Sequence, residues 1–367
     1  MQHPASPLND VWTKPAPLVL SMGDPCGIGP EIVAMQWLAG EAPGAVVIGS
    51  AAVMRRAVAA LAGRHPAAAR LQVWAVRSDA RPAPPGAGAE GAESPVVLPV
   101  WEPAGLPSGL DALPWGQVQA DAGAAAALCV REGAGLVQQG LALALVTAPL
   151  HKESLSLAGE PFPGHTELLQ ALATPAGQPL VPVRMMLANH ELRTVLVSIH
   201  VSLRQALDAV NVANVLSTVR ITHQSFVKMG FECPRIAVAG LNPHAGEGGL
   251  FGDEELSVII PALEAARAEG IDVTGPLAPD TVFMRARHAP PDHPGEFDVV
   301  VAMYHDQGLI PVKYLGVAHG VNVTLGLPFV RTSPDHGTAF DLAGSGKADP
   351  SSLTEAMHLA RQLAAAV

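Results

Sequence analysis

Three histidines, a lysine, an asparagine and an arginine carry most of the chemistry legible in this chain. His200, His244 and His305 each stand just past an apolar run that reads as a strand, at 192–199, 235–240 and 297–303. Neutral imidazole is the commonest ligand for zinc and similar divalent metals, and three imidazoles leave a position open for substrate. Taken singly, each is equally a hydrogen-bonded loop histidine, since separation in sequence says nothing of convergence. Beyond the third, Lys313, Asn322 and Arg331 recur at intervals of nine. Charged residues make up only 15% of the chain, yet these flank apolar segments rather than a polar face. Together they suit an anionic ligand: a guanidinium fork for phosphate or carboxylate, an ammonium point charge, and an amide for a hydroxyl or amine. The plainer alternative is solvated loop charge.

Two further segments bear on an anion. Gly164-His165-Thr166 opens a helix whose N-terminal amides suit a phosphate, so His165 and Thr166 would complete that end of the clamp. GDPCGIGPE (23–31) follows a first strand at 18–22, with glycines spaced GxxxGxG. That spacing is neither the dinucleotide fingerprint nor a P-loop. It reads as a tight strand-to-helix turn or as bare backbone offered to a cofactor phosphate. His151, His190, His223 and His319 read as structural or surface residues. No GxSxG elbow or HExxH occurs, and Cys26 has no partner that marks it as a nucleophile.

The elements that must position these groups follow from the alternation of strands and helices. Apolar runs at 45–49, 71–76, 141–146, 183–188 and 271–275 join those already named, with helices between them. This spacing gives an α/β fold with a mainly parallel sheet, whose ligands bind outside the carboxyl ends of the strands. Ser202 and Asn211 are placed to cap helices, and Ser351 to cap a final one. From 77 to 116 the composition shifts to Pro, Gly and Ala, which reads as a surface insertion without chemistry of its own.

Composition narrows the classes. With 367 residues, 49% of them hydrophobic, the chain supports two domains or one large core and is not disordered. A formal net charge of -11 argues against a general nucleic-acid or anionic-membrane binder. Cys26, Cys129 and Cys233 are odd in number and widely spaced, which fits a reducing cytoplasm rather than a disulfide framework. No signal-peptide pattern opens the sequence, and no apolar run reaches the roughly 18 residues of a membrane span. A soluble intracellular protein is expected.

Longer motifs then join up. GDPxGIGPE (23–31), PGHTE (163–167), NPHAGEGG (242–249), DT (280–281), YHDQG (304–308) and VNVTLGLPFVRTSPDHGTAFD (321–341) together resemble the 4-hydroxythreonine-4-phosphate dehydrogenase family. The resemblance runs from about residue 18 onward, apart from the insertion. It implies a two-domain, three-layer fold similar to isocitrate and isopropylmalate dehydrogenases. One domain is expected from 1–140 with 300–367 and the other from 141–299, with the active site in a cleft between them. It also implies an NAD- or NADP-dependent homodimer that uses zinc, magnesium or cobalt. The family oxidises the C3 hydroxyl of 4-phosphohydroxy-L-threonine, and decarboxylation then gives 3-amino-2-oxopropyl phosphate in pyridoxal phosphate synthesis.

By this resemblance the metal ligands fall on His200, His244 and His305, one donated across the dimer. Substrate contacts fall on His165, Thr166, Lys313, Asn322 and Arg331. The proton acceptor is Lys313, Asp306 or metal-bound water. DHGTAFDLAGSGKAD also resembles the adenosine-binding loop of the isocitrate and isopropylmalate enzymes, which places the cofactor near His336, Gly337 and Asp341. TAPLHKE (147–153) and PGHTE lean toward a sister group acting on 4-phospho-D-threonate or 4-phospho-D-erythronate. A catalytically silent phosphometabolite binder is the alternative of another class. The full set of three histidines with Lys, Asn and Arg argues against it.

Overall fold

The computed structural model describes residues 16–77 and 95–365. The first elements are β1 (Leu18–Ser21), α1 (Gly29–Ala39), β2 (Ala45–Ile48), α2 (Ala51–Leu61), β3 (Leu71–Arg77) and β4 (Val96–Glu102). α3 (Ala120–Gln138), β5 (Ala144–Thr147), α4 (Lys152–Leu157) and α5 (His165–Ala173) follow. Next come β6 (Arg184–Ala188), β7 (Arg193–Leu196), α6 (Leu203–Ala209), α7 (Val212–Lys228), β8 (Ile236–Ala239) and α8 (Ile260–Ala268). β9 (Val273–Leu277), α9 (Val282–Ala286), β10 (His288–Ala289), β11 (His293–Pro294), β12 (Val299–Ala302), α10 (His305–Leu315) and β13 (Val321–Leu325) continue the chain. β14 (Arg331–Pro334) and α11 (Ser351–Ala365) are the last.

Two compact units emerge. Unit 1 holds the described residues up to Leu180 together with Pro328–Arg361, and unit 2 holds Val181–Leu327 with the last turn of α11. The expected boundaries at 140 and 300 therefore move to 180/181 and 327/328. The cause is strand pairing. β5 lies beside β1 in parallel register, whereas β12 lies between β7 and β8, and β13 pairs with β6.

Unit 1 contains the strand order β3-β4-β2-β1-β5-β14, every neighbouring pair parallel. β1, β2, β5 and β14 are buried along their whole length. The mainly apolar runs of β1, β2 and β5 are what a parallel sheet covered on both faces requires, while β14, RTSP, buries polar side chains. Each fully buried Val, Leu or Ile contributes about 1.5–3 kcal/mol. Caps fix the helices over this sheet. Gly40 ends α1 in the left-handed conformation at φ 75°, and the Ser50 hydroxyl accepts from Val53 N at the start of α2.

The expected insertion needs correction. Residues 96–102 form β4, an internal strand with Leu98, Val100 and Trp101 buried. Proline inside a run ordinarily demotes it to an edge strand, and Pro99 within VVLPVWE hides the pattern for that reason. The run RPAPPGAGAEGAE (81–93) lies outside the described residues.

Unit 2 contains the order β13-β6-β7-β12-β8-β9. β7, β12, β8 and β9 are parallel, and β6 runs antiparallel to both of its neighbours. The β6–β7 reversal is set by Asn189, whose side-chain oxygen accepts from Glu191 N and Leu192 N, both at 2.9 Å. Leu187, Leu196, Ala237, Val300, Leu309 and Val312 pack into one core there. Ser202 caps α6 in a full capping box with Gln205, and Asn211 caps α7. At α11, Ser351 is the first helical residue, and Asp349 Oδ1 accepts its N–H at 2.9 Å. No helix among the described residues is long and apolar enough to cross a membrane.

Candidate active site

The carboxyl ends of β7, β8 and β12 lead to His200, His244 and His305 respectively. The His200 and His305 rings stand 5.6 Å apart between centroids, tilted by 44°. Two imidazoles sharing one ion, each bonded at about 2.0–2.1 Å, hold their centroids roughly 5–6 Å apart. The pair therefore fits joint ligation. His305 is oriented by Asp306, whose Oδ1 lies 2.8 Å from Nδ1, which leaves Nε2 for a metal. His244 does not join them. Its ring lies near Phe251, at 6.4 Å, and among the described residues these three histidines form no cluster of ligand atoms within 4.8 Å of one another. One chain thus brings His200 and His305 together and leaves His244 separate.

Both flanking donors sit on strained backbone. His200 has φ 30° and His244 φ 53°. From His244 to Gly248 every residue is left-handed, a conformation costing roughly 1–2 kcal/mol for each non-glycine residue. Glu255 holds this turn in place. Its buried carboxylate accepts from Leu241 N (2.7 Å), Asn242 N (2.8 Å) and Asn242 Nδ2 (2.9 Å). A Cβ on Gly246 would stand 2.7 Å from Glu255 Oε2, so only glycine fits. Gln307 ties this loop to the next: its Nε2 donates to Gly240 O (2.8 Å), and its Oε1 accepts from Met303 N (2.7 Å). Ser198 Oγ donates to Met303 O at 3.0 Å, joining the His200 segment as well. Sequence reasoning missed Glu255 and Ser198, because a carboxylate in GDEE shows no partner until the loops are folded.

Lys313 also departs from expectation. It rides the last turn of α10 rather than flanking a strand or turn, and Asn322 lies on β13 opposite Leu187. Both belong to unit 2, while Arg331 belongs to unit 1. The nine-residue spacing is therefore divided between the units.

In unit 1, Arg331 opens β14 with 4% of its surface exposed. Its Nε (3.2 Å) and Nη2 (2.6 Å) donate to Thr147 Oγ1 at the end of β5. Burial pushes its pKa down to about 10. His165 is the first residue of α5, whose N-cap, Gly164, offers no side-chain cap. Its Nε2 is buried and has no partner among the described residues. Burial first, and the Arg331 charge second, hold His165 well below the ordinary histidine range, so the ring is neutral near pH 7. A buried guanidinium, an unsatisfied neutral imidazole and uncapped helix amides make one demand: an oxyanion with several acceptor oxygens. Thr166, half-buried on the same first turn, adds a hydroxyl.

The glycine-rich turn resolves toward close packing. Gly23 has φ 76°, and a Cβ there would stand 2.5 Å from Pro149 O. A Cβ on Gly27 would meet Thr338 Cβ at 2.9 Å, while Ile28 N donates to Thr338 O at 3.0 Å. The Glu31 carboxylate accepts from Gly344 N and Gly346 N, and His151 stacks on Phe340 at 4.6 Å. The bare backbone at Gly23 and Gly27 thus receives the protein's own segments. On the 336–346 loop itself, His336 Nδ1 lies 3.0 Å from Gly337 O, and its Nε2 is buried without a partner among the described residues. Open space lies where a Cβ on Gly337 would point, and Asp341 is exposed. These features suit one edge of a bound ligand.

By its similarity to named dehydrogenases, this α/β chain is an oxidoreductase acting on a hydroxyl of a phosphorylated substrate. The family of pyridoxal phosphate biosynthetic protein PdxA matches residues 41–360, and the chain belongs to that family. It is 49% identical over 349 residues to a 4-hydroxythreonine-4-phosphate dehydrogenase of Beijerinckia indica, covering 95% of each chain. It is 44% identical to a D-threonate 4-phosphate dehydrogenase of Pectobacterium atrosepticum, covering 95% of this chain and 99% of that one. A crystal structure of 4-hydroxythreonine-4-phosphate dehydrogenase from Klebsiella pneumoniae matches with a TM-score of 0.79 and 43% identity, over 95% of this chain and 98% of that one. The resemblance drawn from the motifs holds, and the non-catalytic alternative falls away.

Proposed function

We propose that the chain oxidises the C3 hydroxyl of 4-phosphohydroxy-L-threonine with NAD or NADP and a divalent metal, and that decarboxylation yields 3-amino-2-oxopropyl phosphate. The observation that carries this is the buried Arg331, whose charge acts on His165, together with the buried, unpartnered Nε2 of that histidine. Arg331, His165 and Thr166 receive the phosphate, and Asn322 fixes the substrate's amine or hydroxyl. His200, His244 and His305 would hold a divalent ion, which would supply Lewis-acid chemistry, and His336, Gly337 and Asp341 would hold a nicotinamide cofactor, which would accept hydride. Lys313 takes the hydroxyl proton, because Asp306 is engaged in orienting His305. The ketone then stands β to the carboxylate, which leaves as carbon dioxide.

The second reading, 4-phospho-D-threonate or 4-phospho-D-erythronate as substrate, is favoured by the Pectobacterium relative. Reduction of NAD and NADP with each substrate, before and after chelation, separates them. Turnover of the threonate alone selects the second reading, and no turnover of any substrate with metal restored overturns both.

A homodimer completes the reading. His244 lines an open apolar depression of about 730 Å3 with Pro243, Phe283, Ile310 and Tyr314. Tyr314 is 90% exposed and Ile310 63%, which is costly surface for a free monomer. A second copy covering this face would bring His244 to a partner's chelating pair. A reducing cytoplasm suits the free thiols of Cys26, Cys129 and Cys233.

A further inference from the structure

Unit 2 carries a second polar cavity, of about 220 Å3, lined among others by Glu191, Arg193, Phe231, Arg235, Phe297 and Asp298. It lies at the amino ends of the same strands that carry the histidines. Arg193 opens β7, and Arg235 and Asp298 each directly precede β8 and β12. Because these three strands are mutually parallel, the cavity and the histidine face occupy opposite edges of the sheet. A guest in one does not obstruct the other.

Two carboxylates, Glu191 and Asp298, and two guanidinium groups, Arg193 and Arg235, line this cavity, but they are not paired one to one. Glu191 is paired with Arg287 at 2.5 Å. Both Asp298 oxygens are taken by Arg235, whose Nη2 lies 2.7 Å from Oδ1 and whose backbone N lies 2.8 Å from Oδ2. Arg193 feels the Asp298 charge but donates no hydrogen bond to a carboxylate among the described residues. Among the described residues its one hydrogen bond is a long one, 3.5 Å to the Asp298 carbonyl, and its guanidinium lies 5.8 Å from the Phe231 ring centre. A half-buried guanidinium with most of its five donors turned to the cavity suits a planar carboxylate. The walls are aromatic, and the volume falls below the roughly 300–1,000 Å3 of pockets for drug-sized ligands.

We propose that this cavity binds a small organic carboxylate with a flat apolar body, its carboxylate forked on Arg193 and its body against Phe231 and Phe297. Calorimetric titration of the full-length protein with benzoate, cyclohexanecarboxylate and inorganic phosphate tests this without substrate or turnover. Saturable benzoate binding is expected, weaker for cyclohexanecarboxylate and weakest for phosphate. Arg193→Gln should weaken benzoate roughly tenfold or more, as loss of a charged hydrogen-bonding partner does, with melting temperature and divalent-metal binding retained. Should that variant not fold, Arg193→Lys, which keeps the charge but loses the fork, should show the same direction of loss. Absence of saturable benzoate binding to the wild type overturns the proposal, as does unchanged affinity in the folded Arg193 variant. Phosphate binding as tightly as benzoate overturns the flat-body assignment.

Discussion

At the scale of single residues, the chain separates groups that touch ligand from groups that hold those in place. Arg331 is of the first kind. Replacing it by lysine keeps the charge but forfeits the fork and leaves Thr147 Oγ1 without its two donors. Steady-state kinetics should show KM for the phosphorylated substrate rising roughly 10- to 100-fold, the equivalent of about 1.5–3 kcal/mol for a charged hydrogen bond. An unchanged KM would remove Arg331 from the phosphate end. Glu255 is of the second kind. Glu255→Gln turns an acceptor of three N–H groups into a partial donor beside a left-handed turn. We expect a loss of about 1–3 kcal/mol in denaturant unfolding and a roughly 10- to 100-fold weaker metal affinity by calorimetry. The candidate ligand residues were readable from the chain because cationic and imidazole side chains are scarce and stand out beside apolar strand ends. Supporting ones were not, since a glutamate in GDEE looks like solvated surface until three amides converge on it.

At the scale of elements, the strands were legible because β1, β2, β5 and β12 are short apolar runs buried on both faces. β4 escaped, because Pro99 and the Pro/Gly/Ala-rich composition before it masked a seven-residue internal strand. The helix α10 escaped as well, with Pro311 inside it and polar residues along its first turn. The glycine turn at 23–29 was ambiguous on spacing alone, and the answer lay with Thr338, more than three hundred residues away. Gly27→Ala should therefore act through the 336–346 loop. The new methyl must displace Thr338, at a cost of about 1–3 kcal/mol by analogy with overpacked cores. Thermal unfolding should register that loss, and KM for the nicotinamide cofactor should rise more than KM for the phosphorylated substrate. A rise in substrate KM alone would contradict this account.

At the scale of the whole molecule, the proposed single ion on three histidines must be reconciled with His244, which forms no ligand cluster with the other two in one chain. If a second copy supplies it, metal content and association state must move together. Ile310→Glu and Tyr314→Lys, on the exposed apolar face, should shift the mass seen by light scattering from dimer to monomer and lower retained metal after dialysis in proportion. A monomeric variant that keeps full metal would sink the shared-site reading. The division at 180/181 and 327/328 has a further consequence, for synthesis on the ribosome. Val181–Leu327 is contiguous and can fold as it emerges, but β5 meets its neighbour β14 only once Arg331–Pro334 have been made. At about 5–20 residues per second that wait is on the order of 10–40 s. During it, the apolar strand Ala144–Thr147 offers an unsatisfied edge to any passing chain. The nascent protein's exposure to aggregation, and its need for chaperone cover, should centre on that one edge.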